Sequence, residues 1–459
     1  MLSEDLLLSI IHYIPDQKKK KYLTACGEKL YNYIKDTKQK ILLDTICDYD
    51  KFKDETNNIF SLCYSKKISS LEDLKNINSR SIIKIKIDDN RQIAMKEFCN
   101  IPSHITQIEF KYKSPNYHDD DLTIIGFDDD SGCFPDHITH LILPHDYDKT
   151  LNILPANLQY LELRNEDFKC LNKFPKNLKT FICYSCDNTC FKYLPKKLKK
   201  IVFSNYKFND SIDSLPDSIQ DLRLSNDFNQ PINKLPKNLI YLQIGTYFKN
   251  TIKSYPPNLR YIHSNSYHNL DTKKIPNNLC YLKLNSQSNN KIAKLPSNLK
   301  CMKFSDYFDQ NMDEWPSNLK YVHFGRNYNR CVCDLPDSIK KIKFGEKFNS
   351  SVNHLPKNLK IVYFGKNFNK KIDKLPDGTI KIKFDYYCRF NQEINNLPKS
   401  LKSLKLTKSF NNNLNIKHVI NLKSIQFGEK FNKSIDNLPD SIEKIYLGSS
   451  TKFKNYSNL

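Results

Sequence analysis

Cys183 and Cys186 in "CYSCDNTC" have the two-residue gap that lets a pair of thiolates share one zinc ion, and Cys170 and Cys190 stand nearby. No second such pair and no His pair follows. Cys183 also falls where the periodicity described below puts the core, so neither a metal nor any other cofactor is expected. Cys331 and Cys333 flank a single residue, a weaker signal still. Neither a glycine-rich phosphate loop nor an HExxH or GxSxG motif is present, which argues against an enzyme. The recurrent chemistry is of another kind. Tyr241, Tyr261, Tyr281 and Tyr321 are spaced by 20 or 40 residues. In a second series at the same spacing stand Gln243, His263, Lys283, Lys303, His323, Lys343 and Lys383, with Arg223 ahead of them. Cationic side chains beside phenol rings suit interfaces with anionic partners. Such regular spacing requires an element that itself recurs every 20 residues.

Proline marks that element. It stands at 135, 155, 175, 195, 216, 236, 256, 276, 296, 316, 336, 356, 376, 398 and 439, in steps that are almost all 20. A degenerate copy centred on Val419 fills the gap, giving about 16 copies, and Ile101-Pro102 with Ile105, Ile108 and Phe110 looks like one more before an insertion. Counting from proline as zero, position +3 is Leu or Ile in nearly every copy, with Thr379 an exception. Position +6 is always apolar, and +8 is usually Phe or Leu. Gly245, Gly325, Gly345, Gly365, Gly428 and Gly448 occupy +9, and +12 is often Phe followed by Asn.

Side chains alternate along a strand, so +6 and +8 share a buried face and +5 and +7 point outward. The expectation is a short strand over about +4 to +8, with glycine at +9 supplying a turn of positive φ. A return of about a dozen residues follows, too short for a long helix and its loops. One copy cannot cover its own apolar residues. Stacked copies can, and stacking builds one parallel sheet. On that sheet the tyrosines at +5 form one column and the cations at +7 another. A solvated ladder, with Tyr selected for strand propensity, remains the alternative.

This pattern resembles leucine-rich repeats at their short limit. The "FN", then Ile, then "LP" order resembles the FNIP repeat family, most closely over residues 211–245 and 345–376. Copies near 175 and 256 depart from it, with Cys183 and Ser264 at +8 and no clean "FN", so irregular coils are expected there.

Residues 1–50 lack the period. "SEDLLLSIIHYIPDQ" reads as a helix from Glu4 to Ile14, capped by Ser3 and ended by Pro15, and residues 18–49 read as further helix broken at Gly27. This segment resembles an F-box: Leu2 opens it, Leu6, Leu7, Ile10 and Ile11 form its apolar helix, Ile14-Pro15 its stop, and Leu23 and Leu30 its later apolar positions. Ser3 replaces the usual proline, and Leu30 stands where many members have Trp. An F-box followed by FNIP repeats is an arrangement of amoebae and their large DNA viruses. The resemblance implies that these nine residues dock on the Skp-type adaptor of a cullin–RING ubiquitin ligase while the repeats hold a substrate. The alternative is that Leu6, Ile10 and Ile14 merely cap the solenoid.

The expected fold class is therefore α+β. Residues 1–50 form a small helical F-box-like domain. Residues 51–134 form a linker and N-terminal cap, in which Ile83, Ile85 and Ile87 mark a degenerate strand and "DDDLTIIGFDDDSG" is an acidic loop out of register for a calcium site. Residues 135–459 form the FNIP, leucine-rich-repeat-like solenoid. The net charge of +22 lies wholly beyond residue 50, because the first 50 residues carry equal numbers of Lys and of Asp plus Glu. Such a surface either attracts acidic partners or reflects lysine-rich composition. The longest apolar run, near Leu6–Ile14, is about half of what a spanning helix needs. No signal peptide is expected, and the scattered cysteines read as reduced thiols of a cytoplasmic protein, in the host cytoplasm if the chain is viral, or of a nuclear one. Three functions stay open: a non-enzymatic substrate receptor of a ubiquitin ligase, binding an acidic protein at Arg223, Tyr241, Tyr261, Tyr281, Lys283, Lys303, Tyr321, Lys343 and Lys383; a plain protein-interaction solenoid; or a polyanion or nucleic-acid binder, disfavoured because no nucleic-acid module is recognisable.

Overall fold

The computed structural model describes residues 100–110, 134–144, 154–164, 173–184, 188–204 and, apart from isolated positions, 208–448, together with short stretches ahead of them. The chain divides into two units, Met1–Ser65 and Lys66–Leu459. In the first, the strand Cys47–Asp48 pairs in parallel with Tyr64–Ser65. Cys47 and Asp48 fall within the stretch expected to be helical.

The second unit is one parallel sheet. Each strand from Ile82–Ile87 onward pairs with the next in chain order, through Gln107–Phe110, His140–Leu143 and Tyr160–Leu163, as far as Lys444–Tyr446. The register repeats at every step: Tyr241 faces Tyr261, and Tyr261 faces Tyr281. Ile82–Ile87 is thus a paired strand of the sheet, and the copy at Ile101-Pro102 a regular coil after it.

The α+β expectation is corrected. The described chain is nearly all β, its only helical turns of three residues or more being the 3₁₀ segments Asn188–Tyr193 and Thr272–Lys274, and no helical N-terminal domain is seen among the described residues. The reason in the repeats is length, since a dozen residues must cross back over the core and re-enter the sheet one strand along. At Cys47 the β-branched Thr45 and Ile46 just ahead favour extended pairing over helix.

The recurring letters of the repeat make recurring contacts. The proline carbonyl at zero accepts the N–H at +3, as in Leu359 N to Pro356 O at 3.0 Å, closing the turn that launches the strand. Residues at +3 and +6, such as Leu359 and Val362, are wholly buried. The aromatic rings form two stacks that run from coil to coil. At +8, Phe304, Phe324, Phe344 and Phe364 follow one another at 5.6–5.7 Å between centroids. At +12, Phe308, Tyr328, Phe348 and Phe368 do the same at 6.0–6.5 Å. Phe344 and Phe348 join the stacks within a coil at 3.8 Å. Where Asn follows the +12 ring, it accepts the backbone N–H of its equivalent one coil later: Asn329 from Asn349 at 2.7 Å, Asn349 from Asn369 at 2.8 Å.

Two departures from expectation are local. Cys183 and Ser264 sit in ordinary strands and are buried at +8, so those coils keep a regular sheet, and only their returns change, to the 3₁₀ turns. The +9 glycines do not adopt positive φ. They are needed because the coils approach so closely there that a Cβ on Gly365 would lie 1.9 Å from the Gly345 carbonyl oxygen.

Candidate functional site

The outward face of the sheet carries the side chains at +5 and +7. Strand pairing places the +7 residues in one column: Arg223, Gln243, His263, Lys283, Lys303, His323, Lys343, Tyr363, Lys383 and Lys405 are successive Cα partners. Beside it run Tyr241, Tyr261, Tyr281, Cys301 and Tyr321, then Lys341, Ile361 and Lys381. Most are half-buried, since each leans on its neighbours in adjacent coils.

The face divides by charge. On its early strands every carboxylate has a cation. Glu109 pairs with Lys84 at 2.6 Å, Glu162 with Arg164 at 2.7 Å, and Asp221 with Arg223 at 3.0 Å. Burial opposes ionisation of Glu109, yet the hydrogen bond and charge of Lys84, with Arg164, hold its carboxyl below the ordinary value. From Tyr241 to Tyr446 no Asp or Glu stands at +5 or +7. Lys283, Lys303, Lys341, Lys343, Lys381, Lys383 and Lys405 make no ion pair among the described residues. Burial, then neighbouring lysines, lower Lys283 and Lys383 from the ordinary ammonium value, and Lys341 is lowered chiefly by burial. His263 and His323 are pulled to about 4 by burial and by Lys283, Lys303 and Lys343, so both are neutral at pH 7.

The tyrosines serve as seats for the cations. Lys303 lies 5.6 Å from the Tyr281 ring, Lys341 4.9 Å from Tyr321 and 5.4 Å from Tyr363, and Lys383 5.6 Å from Tyr363. Arg223 lies 4.9 Å from Tyr241 but is held by Asp221, so it offers the face no free charge. The sequence-derived cations Lys283, Lys303, Lys343 and Lys383 do share one surface. Sequence reasoning missed Lys341, Lys381 and Lys405. The signal was available: counting +5 onward past Tyr321, and +7 across the longer step after Pro376, reaches all three.

The other candidates fare differently. Leu2, Leu6, Leu7, Ile10, Ile11, Ile14, Pro15, Leu23 and Leu30 lie outside the described residues, as do Cys170 and Cys186. Cys183 and Cys190 are buried, and no cluster of three metal-ligating residues occurs among the described residues. Cys331 and Cys333 bring their sulfur atoms together across a single intervening residue. No helix among the described residues is long and apolar enough to cross a membrane.

Three stretches, residues 312–347, 351–387 and 420–450, match the FNIP Repeat. No curated protein matches the chain. Among solved structures, that of CroV588, a circular LRR protein, is similar at 23% identity over 87% of this chain and 70% of that one, with a TM-score of 0.59. The TLR13–ssRNA13 complex is similar at 12% identity over 84% of this chain and 70% of its own, with a TM-score of 0.53. These likenesses agree on the fold: a leucine-rich-repeat-like solenoid.

Proposed function

We propose that this LRR-like array of FNIP repeats is a docking scaffold without catalytic groups of its own, holding an acidic protein partner on the outward face of its sheet. The observation that carries the reading is the run of lysines from Lys283 to Lys405, uninterrupted by any carboxylate at the outward strand positions. A folded protein gains nothing from crowding like charges on one face. An acidic partner would relieve that repulsion and release bound counterions. The test is affinity capture from a cell lysate with the full chain and with its K303E/K343E/K383E variant. Acidic proteins retained by the first, released by salt and absent from the second, support the reading. The same proteins retained by both refute it.

A finer reading is supported by sequence alone. If Leu2, Leu6, Leu7, Ile10, Ile11 and Ile14 dock on a Skp-type adaptor, the scaffold is the substrate receptor of a cullin–RING ubiquitin ligase, and the captured acidic protein is the substrate. A pull-down of purified adaptor by the full chain, compared with Leu6→Asp and Ile10→Asp, decides it. Absence of adaptor binding by the unaltered chain removes the ligase role and leaves the scaffold.

A further inference from the structure

The lysine face carries a groove of about 350 Å³. Its floor is Gly345 and Gly365, consecutive +9 residues without side chains. One wall holds Lys343, Lys383 and Lys405, with Tyr363 between the first two. The other wall is a chain of ion pairs: Glu346 lies 2.9 Å from Lys366 and 3.7 Å from Arg326. The groove therefore runs across the strands, along the direction in which the coils stack.

We propose that this groove seats a linear run of Asp and Glu residues, an extended acidic segment of the docked partner laid across the coils. The inference rests on the docking reading above and adds which part of a partner is read. Four observations carry it. The groove's own carboxylates are engaged: Glu346 by its two cations, Asp306 by the N–H of Arg326, and Asp385 by the N–H of Tyr387. Asp306 and Asp385 keep their charge, but the three wall lysines have no ion-pair partner among the described residues, so five cations stand against three carboxylates in the lining and the surplus is positive. The groove's length suits a short extended peptide. From the coil of Asp306 to that of Lys405 there are five strand steps, roughly 24 Å at about 4.8 Å each, and about seven residues of extended chain at about 3.3 Å per residue cover that distance. Finally, the aromatic face is already used. Lys341 and Lys383 lie over the Tyr363 ring at 5.4 and 5.6 Å. Single-stranded nucleic acid binds by stacking bases on open aromatic faces. With Tyr363 covered by lysines, the sheet-facing wall gives a base nowhere to stack, whereas the carboxylates of a peptide need only the ammonium groups.

The probes are an octaglutamate peptide and a nine-nucleotide oligothymidylate, matched in charge and each labelled with a fluorophore. Binding to the full chain is read by anisotropy. The expected result is at least tenfold tighter binding of octaglutamate, falling steeply as salt rises and weakened at least tenfold in K343E/K383E/K405E, while K200E, on the early part of the sheet, changes it less than twofold. A thermal melt confirms that both variants fold. Tighter binding of oligothymidylate overturns the proposal in favour of a polynucleotide. No binding of octaglutamate, with lysate capture still lysine-dependent, overturns the proposal and leaves the docking reading standing. Loss of lysine dependence in both assays removes the docking reading as well.

Discussion

Gly345 lies so close to the coil before it that a Cβ there would be 1.8 Å from the carbonyl oxygen of Gly325. Backbone on backbone cannot yield as a flexible side chain can. Gly345→Ala therefore forces neighbouring coils apart and loosens both aromatic stacks beside it. The expected cost is roughly 2–4 kcal/mol, in the range where overpacking and backbone clashes fall. Gly378→Ala is the contrast, since its Cβ would meet only the tip of the Lys360 side chain, at 2.8 Å. Chemical denaturation of the two variants separates the cases: Gly378→Ala changes stability by less than about 1 kcal/mol.

Phe348 stacks on Phe344 in its own coil at 3.8 Å and on Phe368 of the next at 6.0 Å, with none of its surface exposed. Phe348→Ala opens a cavity that the rigid stacks on either side cannot collapse to fill. A loss of about 3–5 kcal/mol is expected. Tyr307, half exposed at the turn, gives the reference: Tyr307→Ala costs within about 0.5 kcal/mol. Equal losses at the two positions would refute the stack as the main support of the coil.

Much of this was legible in the sequence because a repeat states each position many times. The strand, its buried face at +6 and +8, and the adjacency of Lys283 and Lys303 follow from the period and the alternation of side chains alone. What a period cannot show is why a residue recurs. Glycine at +9 reads as a turn of positive φ until the distance between Gly345 and Gly325 shows that it is clearance between coils. The Asn after Phe gives no hint in the sequence that it bonds the next Asn rather than its own turn. Nor does the apolar spacing before residue 50 carry the weight of a repeat. It is stated once, and Cys47–Asp48, inside the stretch it marked as helix, forms a strand. Lys341 and Lys381 were missed for a related reason: the +5 column was followed by residue type, and at Lys341 the type changes while the position does not.

The Asn ladder can be tested by chemistry rather than size. Asn349 Oδ1 accepts the N–H of Asn369 at 2.8 Å, and its own N–H is donated to Asn329. Asn349→Ala keeps the donor and removes the acceptor, leaving the Asn369 N–H unmatched, at an expected cost of about 1 kcal/mol. Asp can replace the acceptor, and the chain already uses one: Asp309 accepts from Asn329 at 2.9 Å in the same ladder. Asn349→Asp is thus expected to retain most of the stability that Asn349→Ala loses. Hydrogen exchange at the Asn369 amide gives the local readout, with faster exchange in the Ala variant alone.

The histidines on the lysine face set a pH dependence whose sign is fixed. His263 and His323 have folded values near 4, against about 6.5 in the unfolded chain. Above pH 6.5 both states hold the rings neutral and the histidines contribute no slope. Between about 6.5 and 4 the unfolded chain takes up protons that the folded face refuses, because burial and Lys283, Lys303 and Lys343 oppose a further positive charge. Stability therefore falls as pH falls through that window and levels off below it as far as these two groups are concerned. Carboxylates such as Glu109 add a slope of their own at lower pH, so the comparison must be with a variant that keeps them. His263→Gln with His323→Gln should flatten the difference between pH 7 and pH 5 relative to the unaltered chain, measured by denaturation at each pH. An acidic ligand in the groove changes the outcome in a defined direction. Its carboxylates lower the local potential at His323, which lines the groove, raise that histidine's value and shrink the loss, so stabilisation by octaglutamate should fall less from pH 7 to pH 5 in the unaltered chain than in the double variant, where only protonation of the peptide's own carboxylates acts.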